Sequence, residues 1–292
     1  MRSYCLFTLV SVIIFSFISS ALCEETSVVF EGFAEQFLSE GEEPVWTDTS
    51  YKSQSISIEI SSMRANNSDV YVADIYVRTL DVFQRAYGGD EWGSSTVKMA
   101  TLASSNNAIL ALTGDSCQNF SAGWMIGNGV IERDTRNRKR DLCILYRNGE
   151  MVTLQSEELD HEKIAAETEL IWQTFLFGPT LLDENGYALE DFSESNVAAA
   201  NPRSVLGYYA PGHYCFVQVD GRSTASALES GEKNKGMTLE QLAAFMESIG
   251  CQSAYNLDGG RSSMLWFDDE VISTAADSGR RIGDIIMIKE TK

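Results

Sequence analysis

The segment 255–263, with the sequence YNLDGGRSS, constrains the fold of this chain more than any other stretch. Its apolar start and polar end predict a buried strand that finishes in a turn. Asn256 and Asp258 are two residues apart, so on a strand their side chains project to the same face. Gly259 and Gly260 then allow a sharp turn and a close approach of another group to the backbone. An ordinary strand-end turn is the alternative, because Asp and Gly are common turn residues.

The residues just before this segment predict a helix from Thr238 to Ile249. Thr238 and Gln241 have the spacing of a capping box, and Gly250 stands where a C-terminal glycine is expected. Apolar residues recur at helical spacing, namely Leu239, Leu242, Ala243, Met246 and Ile249. The turn at Asp258 is therefore expected to follow a helix and a buried strand.

This pattern, an LAxxMxxxG helix followed by NLDGGxSS, resembles the phosphodiester glycosidase family. The resemblance extends from about Ser55 to Ile288. It implies an enzyme that removes a sugar such as N-acetylglucosamine from a sugar phosphodiester. The expected partner is therefore a carbohydrate or a sugar phosphodiester.

Short strand patterns outnumber helical ones along the chain. Ile56, Ile58 and Ile60 alternate with polar residues, which predicts a half-buried strand. Apolar runs predict further strands at 70–77, 108–112, 213–219 and 281–288. Helical patterns occur at 96–104, 159–172 and 238–249, and Asn-Gly turns at 127–129 and 147–149 predict hairpins. We therefore expect one α+β domain over residues 54–292, with a mixed, mostly antiparallel sheet and a few packed helices.

The N-terminal residues 1–23 have the features of a secretory signal peptide. Arg2 precedes an apolar stretch from Leu6 to Ile18, and Ala21 stands before a cleavage site after Cys23. These 13 apolar-rich residues are too few for a membrane span, which needs about 20. Residues 24–53 are acidic and weakly patterned, and we interpret them as a lead-in or stalk. The sequence thus predicts a secreted protein without a stable membrane span.

The formal net charge of the chain is −20. Nucleic-acid binding needs a basic face for the phosphate backbone, so this charge argues against a nucleic-acid partner. Solubility outside a cell is an adequate explanation of the acidic composition.

Removal of residues 1–23 would leave four cysteines, Cys117, Cys143, Cys215 and Cys251. An even number in an exported chain suggests disulfides, and three pairings are open. Cys215 and Cys251 each precede a strand end with candidate site residues. We therefore predict that they lie on neighbouring strands and form a bridge, which leaves Cys117 with Cys143. The alternative is free buried thiols in a domain large enough to fold without crosslinks.

Three predicted strands are followed by an acidic glycine turn: Gly114-Asp115, Asp220-Gly221-Arg222 and Asp258-Gly259-Gly260. If these ends meet at one rim, they bring carboxylates and arginines together. The candidate catalytic residues are Asp115, Asp220 and Asp258. We expect them to share a pocket with Arg203, and Asp258 is the first choice among them.

The family resemblance assigns further positions to substrate binding. The implied set is Arg203, Arg222, Asn256, Gly259, Gly260, Ser262, Ser263 and Arg280, and Arg261 in the same turn is a further candidate for substrate binding. Arg203 or Arg222 is expected to hold the phosphate, while Asp115 or Asp258 activates water or stabilises the developing cation. For Arg203 and Arg222, a structural ion pair with a nearby aspartate is the alternative.

Four positions depart from the family pattern: Thr113, Ser116, Arg261 and Gly279. Arg261 adds a cation to the turn 258–262, which we call the signature turn. There it either binds an anion or fills the pocket. Such departures favour a second hypothesis, a secreted carbohydrate-binding protein that kept the fold and lost turnover.

Other kinds of site have less support. With two histidines and no Cys-x-x-Cys pair, the sequence predicts no zinc site and no cofactor. Aspartate oxygens near segment 255–263 leave a bound divalent cation such as calcium open. Ser262 and Ser263 lack the Gly-x-Ser-x-Gly pattern of serine hydrolases.

Overall fold

The computed structural model describes residues 27–89, 92–116, 120–136, 139–222 and 225–291. The predicted signal segment 1–23 and Cys117 lie outside these residues. The described α-helices are α1 (Met99–Ser105), α2 (His161–Ala166) and α3 (Leu239–Ser248). The strands are β1 (Val45–Thr47), β2 (Ser50–Lys52), β3 (Ile56–Ala65), β4 (Ser68–Val77), β5 (Phe83–Tyr87), β6 (Leu110–Thr113), β7 (Gly123–Gly127), β8 (Val130–Thr135), β9 (Leu142–Tyr146), β10 (Met151–Leu154), β11 (Ile171–Phe175), β12 (Arg203–Ala210), β13 (His213–Val219), β14 (Ser253–Asn256), β15 (Leu265–Phe267), β16 (Glu270–Val271) and β17 (Asp284–Ile288).

Antiparallel pairing joins these strands into several sheets. The largest has seven strands in the order β1-β2-β3-β4-β13-β12-β14, and the next has five in the order β16-β15-β6-β17-β5. A three-stranded sheet, β10-β9-β11, and the hairpin β7-β8 complete the described strands. All pairings between the named strands are antiparallel. The predicted α+β domain with mostly antiparallel strands is confirmed, although the strands divide among several sheets.

The two largest sheets pack against each other through the central apolar cluster. Their central strands also carry apolar side chains on the opposite face. On β13, Tyr214 and Phe216 enter the central cluster, while Cys215 and Val217 enter a second cluster on the opposite face. This alternation follows from the two-residue period of a strand. Residues of α3 complete the second cluster, and α1 packs in the same way on the five-stranded sheet. The domain is thus a sandwich of two sheets with α3 and α1 on its outer faces.

Helix α3 confirms the sequence prediction. Oγ1 of Thr238 accepts a hydrogen bond from the N–H of Gln241 at 3.2 Å, and Oε1 of Gln241 accepts from the N–H of Thr238 at 3.1 Å. Such a cap typically contributes about 1 kcal/mol. Gly250 then has φ +85°, the left-handed conformation that ends a helix. The chain therefore leaves α3 sharply and enters β14.

Other local predictions had mixed outcomes. The hairpins β7-β8 and β9-β10 are confirmed. The helix predicted over 159–172 is wrong for most of its length, since α2 ends at Ala166 and 171–175 forms β11. Ile171 and Phe175 are fully buried on that strand, and this burial outweighs the helical spacing. Within the predicted lead-in, β1 and β2 extend the edge of the seven-stranded sheet.

The prediction that Cys215 and Cys251 lie on neighbouring strands is wrong. Cys215 lies on β13 and Cys251 lies just before β14, and β12 runs between these strands. Their sulfur atoms are nevertheless only 3.7 Å apart, as free thiols. The predicted pairing of Cys143 with Cys117 falls outside the described residues.

In the described part of the chain, no helix combines the length and the apolar character that crossing a membrane requires.

Candidate active site

Strand order brings three of the predicted turns to one end of the domain. β12 is antiparallel to both β13 and β14, so it begins at Arg203 where they end, at Val219 and Asn256. The turn after β6 joins them, because the backbone N–H of Asp258 donates to the carbonyl of Gly114 at 3.1 Å. The turns at Gly114 and Asp258 therefore meet through their backbones, and Gly221 and Gly259 both pack against Pro202.

Asp258 forms an ion pair at this end of the domain. Its Oδ2 atom lies 2.9 Å from Nη2 of Arg280, and Nε of Arg280 donates to Oγ of Ser262. The Asp258 side chain is 7% exposed, whereas that of Arg280 is 48% exposed. A ligand arriving from solvent can therefore contact Arg280 and lie beside the Asp258 carboxylate.

Arg222 supplies a second guanidinium group beside the same turn. Gly260 has φ +62°, and a Cβ atom there would lie 2.9 Å from Nη2 of Arg222. Arg222 is exposed, and its Nε and Nη2 atoms donate to Oδ1 of Asn201 at 3.2 and 3.1 Å. Glycine accommodates both the positive φ and this close approach. Arg222 and Arg280 thus both contact the turn 258–262.

Gly259 is required by close packing rather than by its φ. A Cβ atom at Gly259 would lie 2.6 Å from the carbonyl oxygen of Pro202. The same oxygen accepts a hydrogen bond from the N–H of Gly260 at 2.9 Å. The signature turn is therefore fixed against the residue that precedes β12.

Arg203 faces the protein interior instead of the predicted substrate. It is 2% exposed, and its guanidinium group donates to the carbonyls of Met237, Val197 and Ala199 at 2.9, 2.7 and 2.6 Å. Burial lowers the pKa of Arg203 to about 10. Arg203 therefore satisfies the main-chain carbonyls of segment 197–199 and of the residue before the α3 cap.

Asp115 also faces inward. It is fully buried, and its carboxylate accepts hydrogen bonds from the N–H groups of Leu176 and Phe177 at 2.8 and 2.6 Å. Nη2 of Arg85 lies 3.7 Å from Asp115 and 2.6 Å from Asp284. Burial raises the pKa of Asp115 to about 7, although Arg85 opposes this shift. These contacts hold the Asp115 carboxylate inside the protein, away from solvent.

Asp220 lies in a buried polar network beneath the turn. Its carboxylate accepts hydrogen bonds from the N–H of Thr274 at 2.9 Å and from Nε2 of Gln218 at 3.5 Å. Oε1 of Gln218 accepts from Oγ of Ser263 at 3.0 Å, which connects Asp220 to the signature turn. Burial raises the pKa of Asp220 to about 6. Asp220 is thus also held away from solvent.

The remaining polar residues of the signature support the turn from below. Strand β14 ends at Asn256, so strand geometry does not align Asn256 with Asp258 as predicted. Asn256 is fully buried, and its Nδ2 atom donates to the carbonyl of Gly178 at 2.7 Å. Ser262 and Ser263 are fully buried as well. The exposed members of the predicted binding set are Arg222, Arg261 and Arg280.

Three of the four residues that depart from the family pattern fit the turn 258–262 or its neighbour Arg280 without a clash. Thr113 is buried, and its Oγ1 atom donates to the carbonyl of Ser262 at 2.5 Å. Gly279 has φ +71°, a conformation that side chains rarely adopt, and it directly precedes Arg280. Arg261 is exposed, so it does not fill the interior of the turn.

Two buried charged residues were missed in the sequence. Arg85 lies in the middle of β5, where no local motif marks it. Asp284 accepts hydrogen bonds from the N–H groups of Asp115 and Ser116, both at 2.9 Å, and so shapes the turn after β6. Asp284 follows Gly283, and this repeat of the Gly-Asp pattern was the available signal.

Among the described residues, no group of three or more histidine, cysteine, aspartate or glutamate side chains is arranged to hold a metal ion.

Comparison with known sequences gives a family and one relative. A sequence profile described as phosphodiester glycosidase matches residues 103–289. An uncharacterised SPbeta prophage-derived protein of Bacillus subtilis (strain 168), YomE, is 24% identical over 163 residues, which are 54% of this chain and 24% of that protein. This chain therefore spans about a quarter of the length of the curated relative that it matches.

Two solved structures share the fold. The catalytic domain of zebrafish N-acetylglucosamine-1-phosphodiester alpha-N-acetylglucosaminidase, auto-inhibited by its pro-peptide, superposes with a TM-score of 0.61 at 18% identity. The match covers 81% of this chain and 83% of that domain. A hypothetical protein from Synechocystis gives a TM-score of 0.53 at 12% identity, covering 81% of this chain and 62% of its own.

Proposed function

The chain belongs to the phosphodiester glycosidase family, and we propose that it hydrolyses the α-glycosidic bond at the anomeric carbon of a sugar-1-phosphodiester or a related glycan. The name of the zebrafish enzyme with the same fold supports a sugar phosphodiester as the substrate class. The observation that carries the proposal is the Asp258–Arg280 pair, in which the carboxylate on the signature turn lies 2.9 Å from a half-exposed guanidinium group.

Arg222 and Arg280 hold the phosphodiester in this proposal. Guanidinium groups bind phosphate oxygens through paired N–H donors. Both side chains lie at the turn 258–262 and are open to solvent. Arg261 adds a third exposed arginine to the same turn. In a chain with a net charge of −20, this concentration of cations favours an anionic ligand.

Asp258 acts at the anomeric carbon. As the bond from C1 to the phosphate oxygen breaks, positive charge develops on the sugar ring, and the leaving group departs as a phosphate monoester. This leaving group needs little protonation, because its second pKa is near 6. Asp258 stabilises the developing cation or accepts a proton from the attacking water, while the arginines stabilise the departing phosphate. One carboxylate beside an exposed arginine suffices for this chemistry, which fits the complete burial of Asp115 and Asp220.

A second candidate function is carbohydrate binding without turnover. Most glycosidases use two carboxylates beside the scissile bond. Of the three aspartates predicted to be catalytic, Asp115 and Asp220 are fully buried and bonded within the protein. Neither can protonate a leaving group from inside the protein. For a substrate whose leaving group needs a general acid, this burial favours binding without turnover.

An assay on UDP-N-acetylglucosamine and a panel of nitrophenyl α-glycosides separates the two functions. We expect release of free sugar and UDP, and in isotope-labelled water the water oxygen should enter the sugar and not UDP, which locates the cleaved bond at the anomeric carbon. Formation of UMP and a sugar phosphate would contradict the proposal. Calorimetric binding without any product would establish the second function.

We further propose that the chain is exported. The support is the sequence of residues 1–23, with Arg2, the apolar stretch 6–18 and Ala21 before the cleavage site. Expression with and without these residues, followed by N-terminal sequencing of protein in the medium, tests the proposal. Retention of the full chain inside the cell would contradict it.

A further inference from the structure

The thiols of Cys215 and Cys251 meet across a strand that has no side chain at the meeting point. Cys215 on β13 pairs with Gly207 on β12, and Cys251 lies on the other side of that glycine. The two sulfur atoms are 3.7 Å apart, and both residues are almost fully buried. The two cysteines are 36 positions apart in the chain, so tertiary packing creates this proximity.

Gly207 makes the contact sterically allowed. A Cβ atom at this position would lie 2.5 Å from Sγ of Cys215, 2.9 Å from Sγ of Cys251 and 2.8 Å from Cε of Met246. Such distances are shorter than any real Cβ contact, so a side chain at 207 would occupy the space that the sulfurs share. Gly207 has no positive φ, so backbone conformation does not explain the glycine.

We propose that Cys215 and Cys251 form a disulfide when the chain folds in the presence of a small-molecule disulfide oxidant, which reaches the thiols before folding buries them. An S–S bond requires a separation of about 2.05 Å, so the sulfurs must approach by roughly 1.7 Å from their present 3.7 Å. One thiol loses its proton and attacks a sulfur of the oxidant, which releases one thiolate. The other cysteine then loses its proton, and its thiolate displaces the remaining half of the oxidant. In total the two cysteines lose two protons and two electrons, which the oxidant accepts.

The bridge would crosslink two elements that lead into the candidate active site. Cys215 lies on β13, five positions before Asp220, and Cys251 lies seven positions before Asp258. A bridge between residues 36 positions apart closes a loop and restricts the unfolded chain. Oxidation should therefore raise the thermal midpoint of unfolding by roughly 6–15 °C. This inference does not depend on the proposed enzymatic activity.

Peptide mapping tests the proposal on the full chain. The reduced, unfolded protein is refolded with oxidised and reduced glutathione until its thiol count is constant, then blocked with N-ethylmaleimide and digested with trypsin without reduction. Cleavage after Arg203, Arg222, Lys235 and Arg261 gives peptides 204–222 and 236–261, each with one cysteine. We expect these two peptides as a linked species that disappears after treatment with dithiothreitol.

Two variants serve as controls. G207A should lower the yield of the linked species at least about tenfold, because its Cβ atom lies between the sulfurs. C251A should abolish both the linked species and the shift in thermal midpoint, and it keeps the test valid if G207A fails to fold. Alkylation of both cysteines after oxidation, or a link from Cys215 to another cysteine, would overturn the proposal.

Discussion

Oδ2 of Asp258 lies 2.9 Å from Nη2 of Arg280, and this contact joins the signature turn to the segment before β17. Arg280 also donates to Oγ of Ser262, so one side chain braces both ends of the turn. Because its guanidinium group is half-exposed, the same residue can bind a ligand. The arrangement places an anion-binding group and a carboxylate side by side at the surface.

Replacing Arg280 with alanine should impair catalysis much more than folding. Loss of one preorganised charged donor typically costs about 10²–10³-fold in rate. The thermal midpoint should fall by roughly 2–4 °C, because Asp258, whose side chain is 7% exposed, loses its ion-pair partner. Arg281 is the matched control, because it is also exposed and donates only to the carbonyl of Thr96 among the hydrogen bonds of the described residues. Equal kcat/KM values for R280A and R281A would contradict a role of Arg280 at the site.

Arg203 and Arg222 should give opposite phenotypes when each is replaced with alanine. R203A leaves several buried carbonyls without a donor, which should cost about 3 kcal/mol or more. For a domain of this size, that loss lowers the thermal midpoint by roughly 6–12 °C. R222A should keep the midpoint and raise KM, because Arg222 is exposed. A stable R203A variant with a raised KM would instead indicate that Arg203 binds the substrate, as the sequence predicted.

Gly259 tests the packing of the signature turn. G259A introduces a Cβ atom 2.6 Å from the carbonyl oxygen of Pro202, so the turn must shift and the Asp258 carboxylate with it. We expect activity to fall by at least about tenfold, since small displacements of catalytic groups are costly. Gly32 is the control, because a Cβ atom there would meet nothing within 4 Å and its φ is not positive. Full activity in G259A would show that the close contact is not needed.

The raised pKa values of Asp115 and Asp220 predict that stability depends on pH. Burial raises the pKa of Asp115 from 3.8 to about 7 and that of Asp220 to about 6, so ionising either group costs more in the folded state. Their contribution to stability is complete below about pH 4, the pKa of an unfolded aspartate, and is lost as the pH rises through 6 and 7. Urea unfolding at pH 5 and pH 8 measures this slope.

The D115N variant separates this effect from that of other groups. Its amide cannot ionise, so its unfolding free energy should fall less between pH 5 and pH 8 than that of the wild type. The difference should be a few kcal/mol at most, since one pKa unit corresponds to about 1.4 kcal/mol. Identical slopes would mean that Asp115 does not titrate in this range.

Local sequence patterns predicted those parts of the fold that local interactions determine. The capping box of Thr238 and Gln241 and the Asn-Gly hairpin at 127–129 both depend on residues a few positions apart. The helix predicted over 159–172 failed because β11 is fixed by pairing with β9, which spacing within the segment does not report.

The direction in which a polar side chain faces depends on partners that are distant in the sequence. Arg203 faces inward because carbonyls at Val197 and Met237 surround it, and Met237 is 34 positions away. Asp115 is buried because the N–H groups of residues 176 and 177 lie opposite its carboxylate. The motifs identified the three turns as neighbours. They could not distinguish the exposed arginines, Arg222 and Arg280, from the buried Arg203.

The measurement that tests the central claim most directly is the hydrolysis of UDP-N-acetylglucosamine by the D258N variant. The substitution keeps the size of the side chain and removes its charge, and the amide oxygen can still accept the hydrogen bond from Arg280, so the protein should still fold. If Asp258 stabilises the developing cation or activates water, kcat should fall by about 10²–10⁴-fold. A folded D258N protein that hydrolyses the substrate at the wild-type rate would contradict the account and would leave the Asp258–Arg280 pair as a structural contact.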